Sequence, residues 1–224
     1  HEGSWQSKVL EQKRMAMNRA VGTLPGFTGN QTVVGRVYGD EIGMSGDAYI
    51  LGEEIIPVPA KRGVKYVSIG DANNDGKNDI LLGDGWHQDY GKIARARVAI
   101  VYVDGPEMEY ELIEDVKYQY EITQIEVADI NLDGKNEVIA KGNQYTRIYQ
   151  RDENGWAVFR DTLFKQNSFV VGDIVGDKRP EFIVAGKEMA IYNFGNIPFS
   201  EELDPEIKTE KVYPDSLIGN PAPE

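Results

Sequence analysis

The chain has 224 residues, of which 41% are hydrophobic and 10% aromatic. That length suits one domain or two small ones, and that composition supplies a core and excludes wholesale disorder. A formal charge of −13 repels phosphate backbones and excludes a nucleic-acid partner. The absence of cysteine excludes disulfides, thiolate metal sites and cysteine nucleophiles. No run of about 18 apolar residues is present, so no membrane span is expected. A chain that opens on His1 reads as processed, trimmed or part of something longer.

In chain order, Ser4 to Leu10 resembles the outer strand of a sheet unit. The stretch Glu11 to Asn30 fits no strand pattern and is expected to hold a short helix, Glu11 to Ala20, and a loop. A recurring unit then begins: a short apolar strand, an acidic loop and a second apolar strand. Its first, degraded copy is Val33-Val34-Gly35-Arg36, a loop through Asp40 and Asp47, then Tyr49 to Gly52. The second copy runs from Val67-Ser68-Ile69-Gly70-Asp71 through a loop to Asp79 and on to Gly83. The third runs from Ile125 to Asp129, then a loop to Glu137 and a strand to Ala140. The fourth runs from Phe169 to Asp173, then a loop to Glu181 and a strand to Gly186.

Anchors at 36, 71, 129 and 173 lie 35, 58 and 44 residues apart, which leaves room for about four short strands per unit. Arg97 to Val103, Thr146 to Gln150 and Met189 to Asn193 read as third strands. Tyr110 to Glu114 and Trp156 to Asp161 read as fourth, outer strands. No unit can cover its own apolar faces, so neighbours must stack. The expected fold is all-β: a β-propeller or partial propeller of about four blade-like four-stranded units over residues 1–196. Residues 197–224 are expected to form a Pro-rich, extended arm.

Two loops carry the chemistry. Asp71-Ala72-Asn73-Asn74-Asp75-Gly76-Lys77-Asn78-Asp79 and Asp129-Ile130-Asn131-Leu132-Asp133-Gly134-Lys135-Asn136-Glu137 both read D-x-N-x-D-G-x-x-D/E. Calcium takes six to eight oxygens at about 2.3–2.6 Å. Oxygens at positions 1, 3, 5 and 9 of a tightly curled loop can supply them, with the Lys77 or Lys135 carbonyl at position 7; the rival reading is an Asx-rich turn that holds no metal. Gly76 and Gly134 fall where the curl needs positive φ. The EF-hand starts alike but requires a Glu at position 12, and here Leu82 and Ala140 stand there. In the third loop Asp173, Asp177 and Glu181 keep positions 1, 5 and 9. Val175 and Lys178 replace the position 3 ligand and the glycine, so weak calcium binding or none is expected.

This loop, entered by Gly/Ala-Asp between short strands, resembles the FG-GAP or VCBS repeat of integrin α-subunit propellers and secreted microbial proteins. The resemblance covers about residues 31–196. It implies a propeller, usually seven-bladed, with calcium on one rim and a ligand-binding face.

Among other candidates, the segment Gly83 to Lys92 carries Trp86, His87, Gln88 and Tyr90. It suits stacking on a sugar or gripping a peptide, or a packed connection with Trp86 over a blade junction. With only two histidines, a His-based zinc site or catalytic triad is excluded. Arg95 and Arg97 alternate along one strand face and are expected to pair with acids, the alternative being an anion site. The expected function is a secreted or cell-surface module with structural calcium, contacting protein or glycan or acting as an assembly scaffold. The rivals are a propeller-type polysaccharide lyase and a structural subunit completed by another chain.

Overall fold

The computed structural model describes residues 15–40, 43–52, 54–61, 63–84, 95–117, 121–142, 146–162, 168–173, 180–185 and 189–192. Among these, every regular element is a β-strand, as the alternation of apolar and polar residues demands. The first sheet is β1 (Met15–Thr23), β2 (Asn30–Asp40), β3 (Gly43–Leu51) and β4 (Ile55–Val58). The second is β5 (Val64–Gly70), β6 (Asp79–Asp84), β7 (Arg95–Asp104) and β8 (Glu107–Lys117). The third is β9 (Ile122–Ala128), β10 (Glu137–Gly142), β11 (Thr146–Asp152) and β12 (Gly155–Thr162). The fourth holds β13 (Ser168–Gly172), β14 (Glu181–Ala185) and β15 (Met189–Tyr192). Each is an antiparallel meander in sequence order, and the first strands β1, β5, β9 and β13 contact one another in turn.

Stacking of the sheets creates the core. Between the first and second lie Val33, Ala48, Ile50, Val67, Ile80, Leu82 and Val101. Between the second and third lie Leu81, Val98, Ile100, Ile122, Ile125, Val138 and Tyr149. Between the third and fourth lie Ile139, Ile148, Phe169 and Phe182, the two rings 4.9 Å apart. Strands β6 and β10 are buried along their whole length because both of their faces are covered. Polar ties cross the same joints. Lys65 pairs with Glu121 and Arg147 with Glu114, while Gln124 Nε2 donates to the Phe169 carbonyl at 2.6 Å.

At Gly83 the sheets approach closely: an added Cβ would lie 2.7 Å from Ile122 Cγ2 and 2.8 Å from Ile122 Cβ. Gly83→Val is therefore expected to lower stability by about 2 kcal/mol or more through overpacking. Chemical denaturation checks this, and an unchanged midpoint would contradict the packing described.

Two expectations are corrected. Residues 15–20, assigned to a helix, lie in β1. Met and Ala favour helix locally, but pairing along β2, with Ala20 opposite Val33 and Gly22 opposite Gln31, overrides that preference. The first unit is also misframed at Arg36. No acidic loop joins Arg36 to Asp47, because β2 and β3 form a hairpin with these two residues opposite each other. Arg36 Nε donates to Asp47 Oδ1 at 2.7 Å and its Nη2 to Asp47 Oδ2 at 2.9 Å. The nine positions equivalent to the acidic loops are instead residues 23–31, from the last residue of β1 to the second of β2. Arg97 meets the expectation of pairing, with Nε 3.7 Å from Asp115 Oδ2. The Ser4 to Leu10 strand and the arm over 197–224 lie outside the described residues.

Candidate metal centre

The two acidic loops join the first and second strands of consecutive sheets and follow one hydrogen-bonding plan. In the first, Asp71 Oδ1 accepts from Asp75 N at 3.0 Å and Asp71 Oδ2 from Gly76 N at 2.9 Å. Asn73 Oδ1 also accepts from Asp75 N, at 2.9 Å, and Asp75 Oδ1 accepts from Lys77 N at 2.8 Å. In the second, Asp129 accepts from Asp133 N at 3.1 Å and Gly134 N at 2.9 Å. Asn131 Oδ1 accepts from Asp133 N at 2.9 Å and Asp133 Oδ1 from Lys135 N at 2.8 Å. Such short side-chain-to-backbone bonds are why Asx residues are needed at positions 1, 3 and 5.

Backbone torsions repeat as well. Gly76 and Gly134 have φ of 83° and 86°, the sign expected at position 6. Position 4 is also left-handed, with Asn74 at φ 64° and Leu132 at 61°. Asn tolerates that region, whereas Leu132 holds it at a cost of about 1 kcal/mol.

Position 9 is the buried end of each loop. Asp79 is 3% exposed and Glu137 is fully buried. Asp79 Oδ2 accepts from Ala72 N at 3.3 Å, and Glu137 Oε2 from Ile130 N at 3.0 Å. Burial, above all, pushes Asp79 up to about 7, with the charges of Asp75 and Asp71 adding to the effect. Burial likewise pushes Glu137 up to about 8, aided by Asp133 and Asp129.

The surroundings then diverge. Gln150 Nε2 donates to Asp133 Oδ2 at 2.9 Å and to Glu137 Oε1 at 3.2 Å, closing the second loop from β11. Ile80 pairs with Val101 as Val138 pairs with Tyr149, so Tyr102 stands where Gln150 does. Tyr102 turns its hydroxyl to Glu111, and a cavity of about 390 Å³ opens beside the first loop. Asp75, Lys77, Asp79, Tyr102, Asp104 and Glu107 are among the residues lining it.

Among the described residues, no group of three or more His, Cys, Asp and Glu side chains is placed so that it could hold a metal ion. The loop carboxylates are turned toward backbone N–H groups and, in the second loop, toward the Gln150 amide as well. The donor set nonetheless fits a hard cation: three carboxylates and an Asn oxygen on each loop, with one carboxylate buried against the repulsion of the other two. Lys77 and Lys135 hold position 7 with exposed side chains, leaving only their backbone for a ligand role.

In the third loop, Asp173 is exposed at the end of β13 and Glu181 is buried at the start of β14. Asp177 lies outside the described residues, as do Trp86, His87, Gln88 and Tyr90. Sequence reasoning passed over Asn78 and Asn136, both at position 8, and Gln150. The signal for the first two was present, because both loops carry Asn there.

No family model matches the chain, and no curated protein matches its sequence. Two crystal structures of Sqt1 from Chaetomium thermophilum are similar in fold, with TM-scores of 0.54 and 0.52 at 13% identity. Each similarity covers 81% of this chain and 44% of the Sqt1 chain. The chain thus spans less than half the length of those structures. At that identity the likeness concerns fold alone, and it places these stacked meanders with the β-propeller type.

Proposed function

We propose that the chain is a calcium-binding propeller module of the FG-GAP or VCBS kind, acting outside the cell or at its surface. One observation carries this reading. Two loops in neighbouring sheets share sequence, hydrogen bonds and backbone torsions, and each buries a position 9 carboxylate beside two others. A bound cation supplies the missing positive charge. Oxygen-only donors favour calcium, and extracellular calcium modules function with dissociation constants of about 10⁻⁴–10⁻³ M. The role of the ions is structural: they fix the connection between the two inner strands of a blade. A rim or face of the propeller then contacts a protein or glycan, or another chain in an assembly.

The test is a count of ions per chain by atomic emission after dialysis against calcium. Two are expected. Asp75→Ala and Asp133→Ala should each remove one, and Asp177→Ala should leave the count at two. No retained calcium would overturn the reading, and three tight ions would overturn the ranking of the third loop.

A further inference from the structure

The two loops are not separate. Asn136 N donates to Asn74 Oδ1 at 2.5 Å, and Asn74 Nδ2 donates back to the Asn136 carbonyl at 3.3 Å. Asn136 Nδ2 also donates to the Asp71 carbonyl at 2.7 Å. Asn74 sits between Asn73 and Asp75 in the first loop, and Asn136 sits between Lys135 and Glu137 in the second. Each half of the clasp is therefore flanked on both sides by positions assigned to metal binding. All three bonds are partly buried, which shields them from competition with water.

Resting on the calcium reading above, we propose that the Asn74–Asn136 clasp couples the two loops, so that calcium in one raises the affinity of the other. An ion that orders Asn73, Asp75 and Asp71 also holds Asn74 and the Asp71 carbonyl in place. Asn136 is then fixed from outside its own loop, and Lys135 and Glu137 need less ordering when the second ion arrives. By linkage the effect is equal in the other direction.

Comparison along the repeat confines this coupling to one pair. Asn78 makes the same reach backward, donating to the Thr23 carbonyl at 2.9 Å and to Thr23 Oγ1 at 3.1 Å. The 23–31 connection contains no carboxylate, so nothing there binds an ion to be coupled. Forward of the second loop, position 8 is Pro180, which has neither a side-chain amide nor a backbone N–H. Leu132 stands where Asn74 does, so both polar halves of the clasp are absent at that joint.

Calorimetric titration of the chelator-stripped full chain with calcium alone tests the proposal. In the wild type the second ion should bind at least about 5-fold tighter than the first after statistical correction. Asn74→Gly with Asn136→Ala, which keeps the left-handed turn free of strain, should give two independent ions. Asn78→Ala should keep the coupling. Asp133→Asn should bind one ion, at the first loop, with an affinity lowered by the same factor, and combining it with the clasp variant should lower it no further. Cooperative thermal unfolding of each variant confirms that it is folded. Two independent ions in the wild type would overturn the coupling and leave the calcium reading standing. Coupling that survives in the clasp variant would overturn the role of these two residues. No binding at all would overturn the calcium reading itself.

Discussion

Stripping calcium with excess chelator is expected to lower the thermal midpoint by about 10–20 °C. A ligand that binds only the folded state stabilises it by about 2.7 kcal/mol at 100 times its dissociation constant, so two sites contribute roughly 5 kcal/mol. For a chain of this size, each kcal/mol moves the midpoint by about 2–4 °C. The source of the effect is local. Asp71, Asp75 and Asp79 crowd one loop, and Asp129, Asp133 and Glu137 the other. Without a cation their repulsion opposes the turn that joins two buried strands. Scanning calorimetry with calcium, and again with chelator, reads the result. An unchanged midpoint would rule out structural calcium.

The calcium-free protein should also be more stable at pH 5 than at pH 8.5, a difference that bound calcium should largely offset. Asp79 rises from an ordinary 3.8 to about 7 and Glu137 from 4.5 to about 8, both chiefly through burial. Folded values above unfolded ones mean that the unfolded chain releases these protons first. The stability they contribute is complete below about pH 4 and is lost as pH rises through 7 and 8. At about 1.4 kcal/mol per tenfold change in proton affinity, the combined loss is on the order of several kcal/mol. Calcium competes for the same oxygens and binds better as the protons leave, so its stabilisation grows over that interval. Denaturant midpoints across pH, with chelator and with calcium, measure both curves. Glu137→Gln should flatten the chelator curve by removing one of the two titrating groups. Parallel curves with and without calcium would contradict the link between the buried carboxylates and the ion.

Much of the fold was legible because it is written in short-range pattern. The runs around Val67, Ile80, Val98, Ile125, Val138 and Phe169 alternate or cluster as strands, and Gly and Asp residues mark their turns. The outer strands from Tyr110 and Trp156 were found on the same basis. The first sheet was misread for a physical reason. Met15 to Ala20 has no local β signal strong enough to outweigh its helix formers, and its strand exists through pairing with β2 and packing on β5. Once Gly22-Thr23 is aligned with Gly70-Asp71, residues 23–31 are seen to span the same nine positions as 71–79 with no acid among them. Asp40 and Asp47 carry the acidic signal of this stretch, yet they lie in β2 and β3.

By itself, then, the sequence determined the repeat, the strand-loop-strand unit and the candidate ligands at positions 1, 3, 5 and 9. These depend on residue type and spacing within nine residues, where chain connectivity limits the geometry. Only the tertiary structure decided which carboxylates are buried, that Gln150 closes one loop while Tyr102 leaves the other beside a cavity, and that Asn136 grips Asn74 and Asp71. Those facts join residues of different strands and different sheets. Burial and hydrogen bonding at that range come from how the sheets stack, and no local spacing encodes the stack.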